Sequence, residues 1–381
     1  MAEKEPPMDV LMIYGGGTIK KGDKTMNAEK KQKLLVLATG LVIGIFAVIL
    51  VMMGNPGNMG FCIACFIRDT AGALGMHRAA VVQYIRPEII GLVLGSFIMS
   101  LCMKDYKPQG GSAPVTRFIL GFFVMVGALM FLGCPLRMVL RLAGGDLNAI
   151  AGIVGFIVGV LVGVFFINKG FSLATAKMPE QGKLEGMMMP AINIMNLALL
   201  IAAPAFIFFS TEGPGAARAP IAIALIAGLV VGAMGNRSRI CMVGGFRDLF
   251  LYKNAHLFVG TAGVFIAALI GMLVVGKFNL GFADQPVAHT DWLWNFLGLA
   301  LVGFASALAG GCPIRQLVLS GTGSSDASVT VLGLFVGAAF CHNFGLASSA
   351  AGPTPAGQIA VIIGFIVVGA IAALNIRKLK N

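Results

Sequence analysis

Four short segments of the chain combine cysteine, arginine and glycine in two related patterns. The first and third segments place Arg-Asp six and seven residues after a cysteine, giving Cys62, Arg68 and Asp69, and then Cys241, Arg247 and Asp248. The second and fourth share Gly-Cys-Pro-x-Arg, giving Cys134, Pro135 and Arg137, and then Cys312, Pro313 and Arg315. Thiols and arginines at repeated spacing predict a path or site for a small anion.

The Gly-Cys-Pro-x-Arg pattern is typical of a helix start. Proline is favoured at the first helical position, so Pro135 and Pro313 predict helices with Cys134 and Cys312 at the N-cap. The free N–H groups and dipole of such a terminus form an anion site, and an arginine three residues on returns to the same side. A snorkelling arginine at an ordinary helix start is the alternative. Two matched occurrences favour an anion role, since an intramembrane charge costs about 2.5–3.5 kcal/mol.

The Cys-x5-Arg-Asp pattern predicts neutralised buried charge. Asp69 and Asp248 are expected to pair with a neighbouring arginine. Arg68, Arg137, Arg247 and Arg315 are expected to stabilise an anion or to serve as structural charge. Cys62 and Cys241 are predicted to line the substrate path beside Cys134 and Cys312. Asn148 and Asp326 are predicted to be helix caps.

The spacing of two cysteines also suggests metal binding or redox chemistry as alternatives. Cys62-x2-Cys65 could be a dithiol, but a structural zinc site needs four ligands and the sequence has no second CxxC. Cys65 is interpreted as a packing residue, since Gly244 stands near the equivalent place. No nucleotide-binding loop, Ser/His/Asp set or HExxH pattern occurs. We therefore expect no cofactor, no metal and no enzymatic activity.

The composition is that of a polytopic membrane protein in a lipid bilayer. Of 381 residues, 57% are hydrophobic and only 12% charged, against about 25% charged in soluble domains. The net charge of +12 is attributed to basic cytoplasmic loops rather than to nucleic-acid binding. Seven cysteines indicate no disulfide framework. The first 33 residues are polar and lysine-rich, without a predicted cleavable signal.

We predict about ten spanning helices, all α, joined by four short re-entrant half-helices. The spans are predicted at 34–53, 85–103, 117–132, 147–167, 191–209, 219–234, 257–276, 292–310, 327–347 and 357–374. The four patterned segments, 57–75, 133–149, 235–252 and 311–327, are too short or too polar to cross and are predicted to be half-helices buried in protein. Most lysines and arginines fall in cytoplasmic segments if both termini are cytoplasmic.

The two patterns recur at nearly one offset, which indicates an internal duplication. Cys62 and Cys241 are separated by almost the same number of residues as Cys134 and Cys312. Five spans separate the copies, so the halves insert with opposite topology, as in many secondary transporters. We predict a cytoplasmic tail over 1–33 and two repeats, 34–209 and 210–376, forming one structural domain. One half-helix pair enters from outside and the other from the cytoplasm.

These segments resemble the YeeE/YedE family of sulfur-compound transporters. The resemblance rests on FCIACFIRDTAGALG, GCPLRMVLRLAGGDLNA, NRSRICMVGGFRDL and GGCPIRQLVLSGTGSSDA, and it is closest to the family's selenium-transporter branch. It implies an hourglass of helices with a central constriction in the cell (inner) membrane. It also implies uptake along a row of central cysteines, which would be Cys62, Cys134 and Cys312 here, with Cys241 as the symmetry mate.

The resemblance implies a small selenium- or sulfur-containing anion as substrate and a small cytoplasmic sulfur- or selenium-carrier protein as partner. Three alternatives stay open at this point. The protein could be a thiosulfate-specific uptake protein, a membrane thiol oxidoreductase using Cys62 and Cys65 with a lipid quinone, or a structural subunit whose cysteines only pack. Sulfur and selenium cannot be separated from the residues, because both atoms accept weak hydrogen bonds from thiols.

Overall fold

In a computed structural model that describes residues 23–173 and 183–376, the described chain is all-helical. Eight of its helical segments are long and apolar enough to cross a membrane, and two shorter apolar helices accompany them. The helices are α1 Asp23–Met52, α2 Ile63–Ala73, α3 Pro87–Cys102, α4 Pro114–Phe131, α5 Pro135–Ala143, α6 Asn148–Asn168, α7 Lys183–Gly186, α8 Met188–Ala202, α9 Gly213–Ala216, α10 Ile221–Ser238, α11 Met242–Tyr252, α12 Phe258–Val274, α13 Trp292–Leu308, α14 Pro313–Gly321, α15 Ser325–Asn343 and α16 Pro355–Leu374. The protein is an all-α, multi-pass membrane protein.

Two predicted boundaries differ from the structure by more than four residues. Helix α1 begins at Asp23, inside the predicted 1–33 tail, whose residues 1–22 lie outside the described ranges. The predicted span 191–209 is wrong at its end, because α8 stops at Ala202. Ala203 adopts a left-handed conformation with φ 43°, and Pro204 follows it. A proline disfavours helical geometry in the residue before it, which explains the early end.

Four short helices lie in the four patterned segments. They are α2, α5, α11 and α14, of 11, 9, 11 and 9 residues. Helices of this length are too short to cross the roughly 30 Å hydrocarbon layer, and each begins inside the protein, after a buried cysteine. Each follows a spanning helix and precedes another, and each begins directly after a cysteine in extended conformation.

Corresponding helices of the two halves make corresponding contacts. Helix α1 packs on α12 as α10 packs on α3, and α4 packs on α15 as α13 packs on α6. The half-helices follow the same rule, since α5 contacts α12 and α6 while α14 contacts α3 and α15. Close approach at these crossings depends on small residues, as membrane helix pairs generally do.

The fifth long helix of each half departs from this pattern. Helix α8 packs on α3, α14 and α15, whereas α16 packs on α4, α6 and α13. These two helices therefore flank the matched core at different places.

The loops gather at two ends of the bundle. We call the end that holds the starts of α2 and α5 the outer end, and the end that holds the starts of α11 and α14 the inner end, after the topology predicted above. At the outer end, Asn279 N–H donates to the Gly144 carbonyl at 2.9 Å, and Asn343 donates to the Met76 carbonyl at 2.9 Å. At the inner end, Gln109 N–H donates to the Gly323 carbonyl at 3.2 Å.

Candidate functional site: two thiol pairs at half-helix N-termini

The outer thiol pair joins Cys62 and Cys134. Cys62 caps α2, its Sγ accepting the N–H of Cys65 at 3.4 Å. Cys134 caps α5, with Pro135 in the first turn. The Cys134 thiol lies beside that of Cys62. Both thiols are fully buried.

The inner thiol pair repeats this arrangement with Cys241 and Cys312. Cys241 caps α11, its Sγ accepting the N–H of Gly244 at 3.4 Å. Cys312 caps α14, with Pro313 in the first turn, and accepts the N–H of Met242 at 3.3 Å. The two thiols lie next to each other. Each pair thus sits where the N-termini of two half-helices converge, a geometry that favours a negative charge.

Sequence reasoning found half of these caps. Cys134 and Cys312 cap their helices as predicted, but the capping role of Cys62 and Cys241 was missed. Cysteine is not a usual cap residue and no proline follows these two. The signal that could have identified these two caps was the internal repeat. Each half of the chain places one such cysteine before a short helix, as it does with Cys134 and Cys312.

Arg137 is completely buried beside the outer pair. Its Nε donates to the Asn58 carbonyl at 3.2 Å, and its Nη2 donates to the carbonyls of Pro286 and Val287 at 3.3 and 3.1 Å. Its Nη1 donates to the Leu132 carbonyl and to Cys65 Sγ, the latter at 3.4 Å. Backbone carbonyls and a thiol, not a carboxylate, solvate this cation within the described chain.

Arg315 holds the matched position beside the inner pair but is only half-buried. Within the described residues its guanidinium has no hydrogen-bond or ion-pair partner. The exposed Arg239 lies near enough to interact with it electrostatically. Arg315 therefore lies beside the inner pair with no protein counter-charge among the described residues, and Arg239 adds a second positive charge near it.

The glycine of each Gly-Cys-Pro-x-Arg pattern makes room for the arginine. A Cβ added at Gly133 would lie 2.8 Å from the Arg137 Cδ, and one at Gly311 would lie 2.9 Å from the Arg315 Cγ. Both arginine stems fold back over the residue before the cysteine. The pattern therefore needs glycine for a steric reason.

The predicted ion pairs are present. Asp69 binds Arg68 and also Arg86, each at 2.7 Å, with all three side chains nearly or fully buried. Asp248 binds Arg247 at 2.7 Å on a half-buried surface. Arg86 was missed as a functional partner because it lies outside the repeated pattern, just before Pro87.

Two predicted caps are wrong. The N-cap of α6 is Leu147, and Asn148 instead donates its side-chain amide to Asp146 and to the Phe282 carbonyl, at 2.9 and 2.7 Å. The N-cap of α15 is Ser324. Asp326 instead accepts the N–H of Gly111 at 3.0 Å and thereby fastens the loop before α4. Both side chains bind loops from the other half, contacts that local sequence does not encode.

Cys65 belongs to the outer site rather than to general packing. Its thiol donates a hydrogen bond to the Leu132 carbonyl at 3.7 Å, and its sulfur accepts a hydrogen bond from Arg137 Nη1 at 3.4 Å. Gly244 stands at the matched inner position, so the outer site has three thiols and the inner site two. All seven cysteines are free. In the described ranges, no cluster of His, Cys, Asp or Glu side chains could hold a metal ion.

Sequence comparisons relate the chain to sulfur transport. The family described as "Sulphur transport" matches residues 237–375, a region that contains the inner thiol pair. Two thiosulfate transporters named TsuA are also similar. The one from Escherichia coli (strain K12) is 31% identical over 102 residues, and the one from Spirochaeta thermophila is 31% identical over 114 residues. These matches agree with the resemblance to sulfur-compound transporters.

The curated similarity covers part of each protein. It spans 26% and 30% of this chain, and 28% and 34% of the two TsuA proteins. The match to the "Sulphur transport" family lies in the second half of the chain, and matched motifs and matched helix contacts relate the first half to the second.

Proposed function

We propose that this YeeE/YedE protein is a membrane transporter or facilitated channel for uptake of a small sulfur- or selenium-containing anion. The observation that carries the proposal is the presence of two buried thiol pairs, each at converging half-helix N-termini with one arginine beside it. A transport role rather than an enzymatic one agrees with the names of the TsuA relatives.

The chemistry of the two pairs suits thiosulfate or selenosulfate. Such an anion carries a soft terminal sulfur or selenium that accepts weak S–H hydrogen bonds, while its charged oxygens favour arginine and N–H donors. Arg315 provides that charge at the inner pair, and Arg137 provides it at the outer pair. Cys62, Cys134, Cys312 and Cys241 then relay the anion between the two ends.

The membrane arrangement belongs to the same proposal. The halves act as inverted repeats around a central constriction in the cell (inner) membrane, with both termini cytoplasmic. Matched helix contacts support this arrangement, because each half-helix contacts the helices that correspond to the partners of its counterpart. On this topology the substrate would leave beside Arg315, where a small cytoplasmic carrier protein could receive it.

Thiosulfate is the first substrate to test, since the TsuA relatives are named for it and selenium rests on resemblance alone. Purified protein in proteoliposomes is supplied with ³⁵S-thiosulfate, with unlabelled selenosulfate or sulfate as competitor. Cys134→Ala tests the path, and Cys341→Ala, which removes another buried thiol from an ordinary span, is the matched control.

We expect uptake by the wild type and by Cys341→Ala, loss of uptake in Cys134→Ala, and competition by selenosulfate but not by sulfate. No uptake of thiosulfate, together with uptake of selenosulfate when the label is placed on selenium, would assign the selenium substrate. Equal uptake by Cys134→Ala and Cys341→Ala would contradict the thiol path.

A further inference from the structure

The outer arginine is covered by a loop from the other half of the chain. Residues 275–291 join α12 to α13 at the outer end. Two consecutive carbonyls of this loop, those of Pro286 and Val287, accept from Arg137 Nη2 at 3.3 and 3.1 Å. Because Arg137 pairs with no carboxylate within the described chain, these carbonyls supply negative partial charge at the position an anion would otherwise take.

The first part of the loop, around residues 279–281, is docked on the protein, and its tip, around residues 284–287, has a strained backbone. In the first part, Asn279 and Gly281 donate their N–H groups to the carbonyls of Gly144 and Gly145, at 2.9 and 3.0 Å. At the tip, Asp284 and Val287 have φ values of 56° and 51°. A β-branched residue rarely adopts this left-handed conformation, so surrounding contacts must hold it there. The hydrogen bond to Arg137 is one of those contacts.

The matched loop of the inner end leaves its arginine uncovered. Residues 103–113 join α3 to α4, and they dock on the α14–α15 junction instead. Gln109 N–H donates to Gly323 at 3.2 Å, and Gly111 N–H donates to Asp326 at 3.0 Å. Arg315 therefore keeps its guanidinium available, while the same motif at the outer end is closed by backbone.

We propose that the loop 275–291 is the outer gate of the path, held shut by the carbonyls of Pro286 and Val287 on Arg137. This inference rests on the proposed transport function. An arriving anion binds Arg137 more strongly than neutral carbonyls do, because charge-assisted hydrogen bonds are stronger. Its differential binding to the open state shifts the loop tip away and exposes the outer thiols.

A disulfide between cysteines introduced at positions 57 and 286 would lock the loop in its closed position; we call this disulfide the staple. An ideal Cβ at Gly57 lies 3.2 Å from the Pro286 Cβ, close to the roughly 3.5–4.5 Å separation in disulfides. The Gly57→Cys/Pro286→Cys double variant is compared with each single variant and with the wild type. A membrane-impermeant thiol reagent is added outside, and modification of Cys62, Cys65 and Cys134 is read by peptide mass.

We expect the outer thiols of the wild type and of both single variants to react, because the gate opens transiently. In the oxidised double variant their modification should slow by at least tenfold, and dithiothreitol should restore it. Thiosulfate uptake should fall and recover in parallel. Equal modification with and without the staple, or wild-type outer thiols that never react, would overturn the gate.

Two further results separate the gate from the transport function. If the staple blocks modification while the wild type transports no thiosulfate, the gate stands and the proposed function fails. If the double variant does not fold, Val287→Gly replaces it. Glycine adopts the left-handed conformation without strain, so the closed loop is stabilised and modification should slow severalfold. Unchanged or faster modification in Val287→Gly would overturn the proposal.

Discussion

The outer and inner thiol sites are built from the same motifs but differ in how their charges are held. At the outer site Arg137, Arg68, Arg86 and Asp69 are buried and each has protein partners. At the inner site Arg315 has no such partner within the described residues, and the Asp248 ion pair is half-exposed. The same sequence pattern therefore places its charges among buried protein partners at one end and leaves them partly exposed at the other.

Neutralising the buried aspartate should give the largest contrast between the two ends. Asp69→Asn leaves Arg68 and Arg86 buried without their counter-charge, so we expect a loss of about 3–5 kcal/mol in unfolding free energy. Asp248→Asn breaks a half-exposed pair and should cost about 0–1 kcal/mol. Denaturant unfolding in detergent measures both. Equal losses at the two sites would contradict the difference in charge burial.

Truncating the two matched arginines should separate stability from transport. Arg137→Ala leaves buried carbonyls without a donor, at about 1–3 kcal/mol each, and should lower the unfolding free energy by at least about 3 kcal/mol. Arg315→Ala should change stability by less than about 1 kcal/mol, since this half-buried side chain has no hydrogen-bond or ion-pair partner to lose among the described residues.

For Arg315→Ala we expect a tenfold or larger loss of thiosulfate uptake, measured in proteoliposomes at equal protein content. Arg315→Lys keeps the charge and should retain part of the uptake. Full uptake by Arg315→Ala would remove the anion-binding role from the inner arginine.

Adding a methyl group beside each arginine should give a smaller contrast. Gly133→Ala crowds an Arg137 side chain that is fixed by its carbonyl partners, and overpacking of this kind costs about 1–3 kcal/mol. Gly311→Ala meets an Arg315 side chain that can move aside, so little change in unfolding midpoint is expected. If both variants unfold alike, Arg315 is held as firmly as Arg137.

The smallest expected effect is a pH dependence of the outer loops. Burial lowers the pKa of His77 and of His289 below the ordinary value of 6.5. The unfolded chain then binds protons first, so their contribution to stability is complete above about pH 6.5 and declines as the pH falls through the lowered folded values. Thermal unfolding between about pH 8 and pH 5 should show this decline, and His77→Gln with His289→Gln should flatten it.

The sequence predicted the helices and the repeated site better than it predicted their cross-links. Hydropathy located the spans, and the Pro135 and Pro313 positions located two half-helix starts, because these signals are local. The contacts of Arg137 with Pro286 and of Asp326 with Gly111 join residues far apart in the chain. Such contacts depend on how the halves pack, so the motif alone could not show that one arginine is covered and the other is not.

The most direct test of the account is whether thiosulfate uptake requires both thiol pairs. Thiosulfate uptake is measured for the four single variants Cys62→Ala, Cys134→Ala, Cys241→Ala and Cys312→Ala, beside Cys341→Ala, all in proteoliposomes with matched protein content and folding checked by unfolding midpoint. The account predicts strong loss of uptake in all four site variants and normal uptake in Cys341→Ala. Normal uptake by both variants of either thiol pair would contradict a path through both pairs.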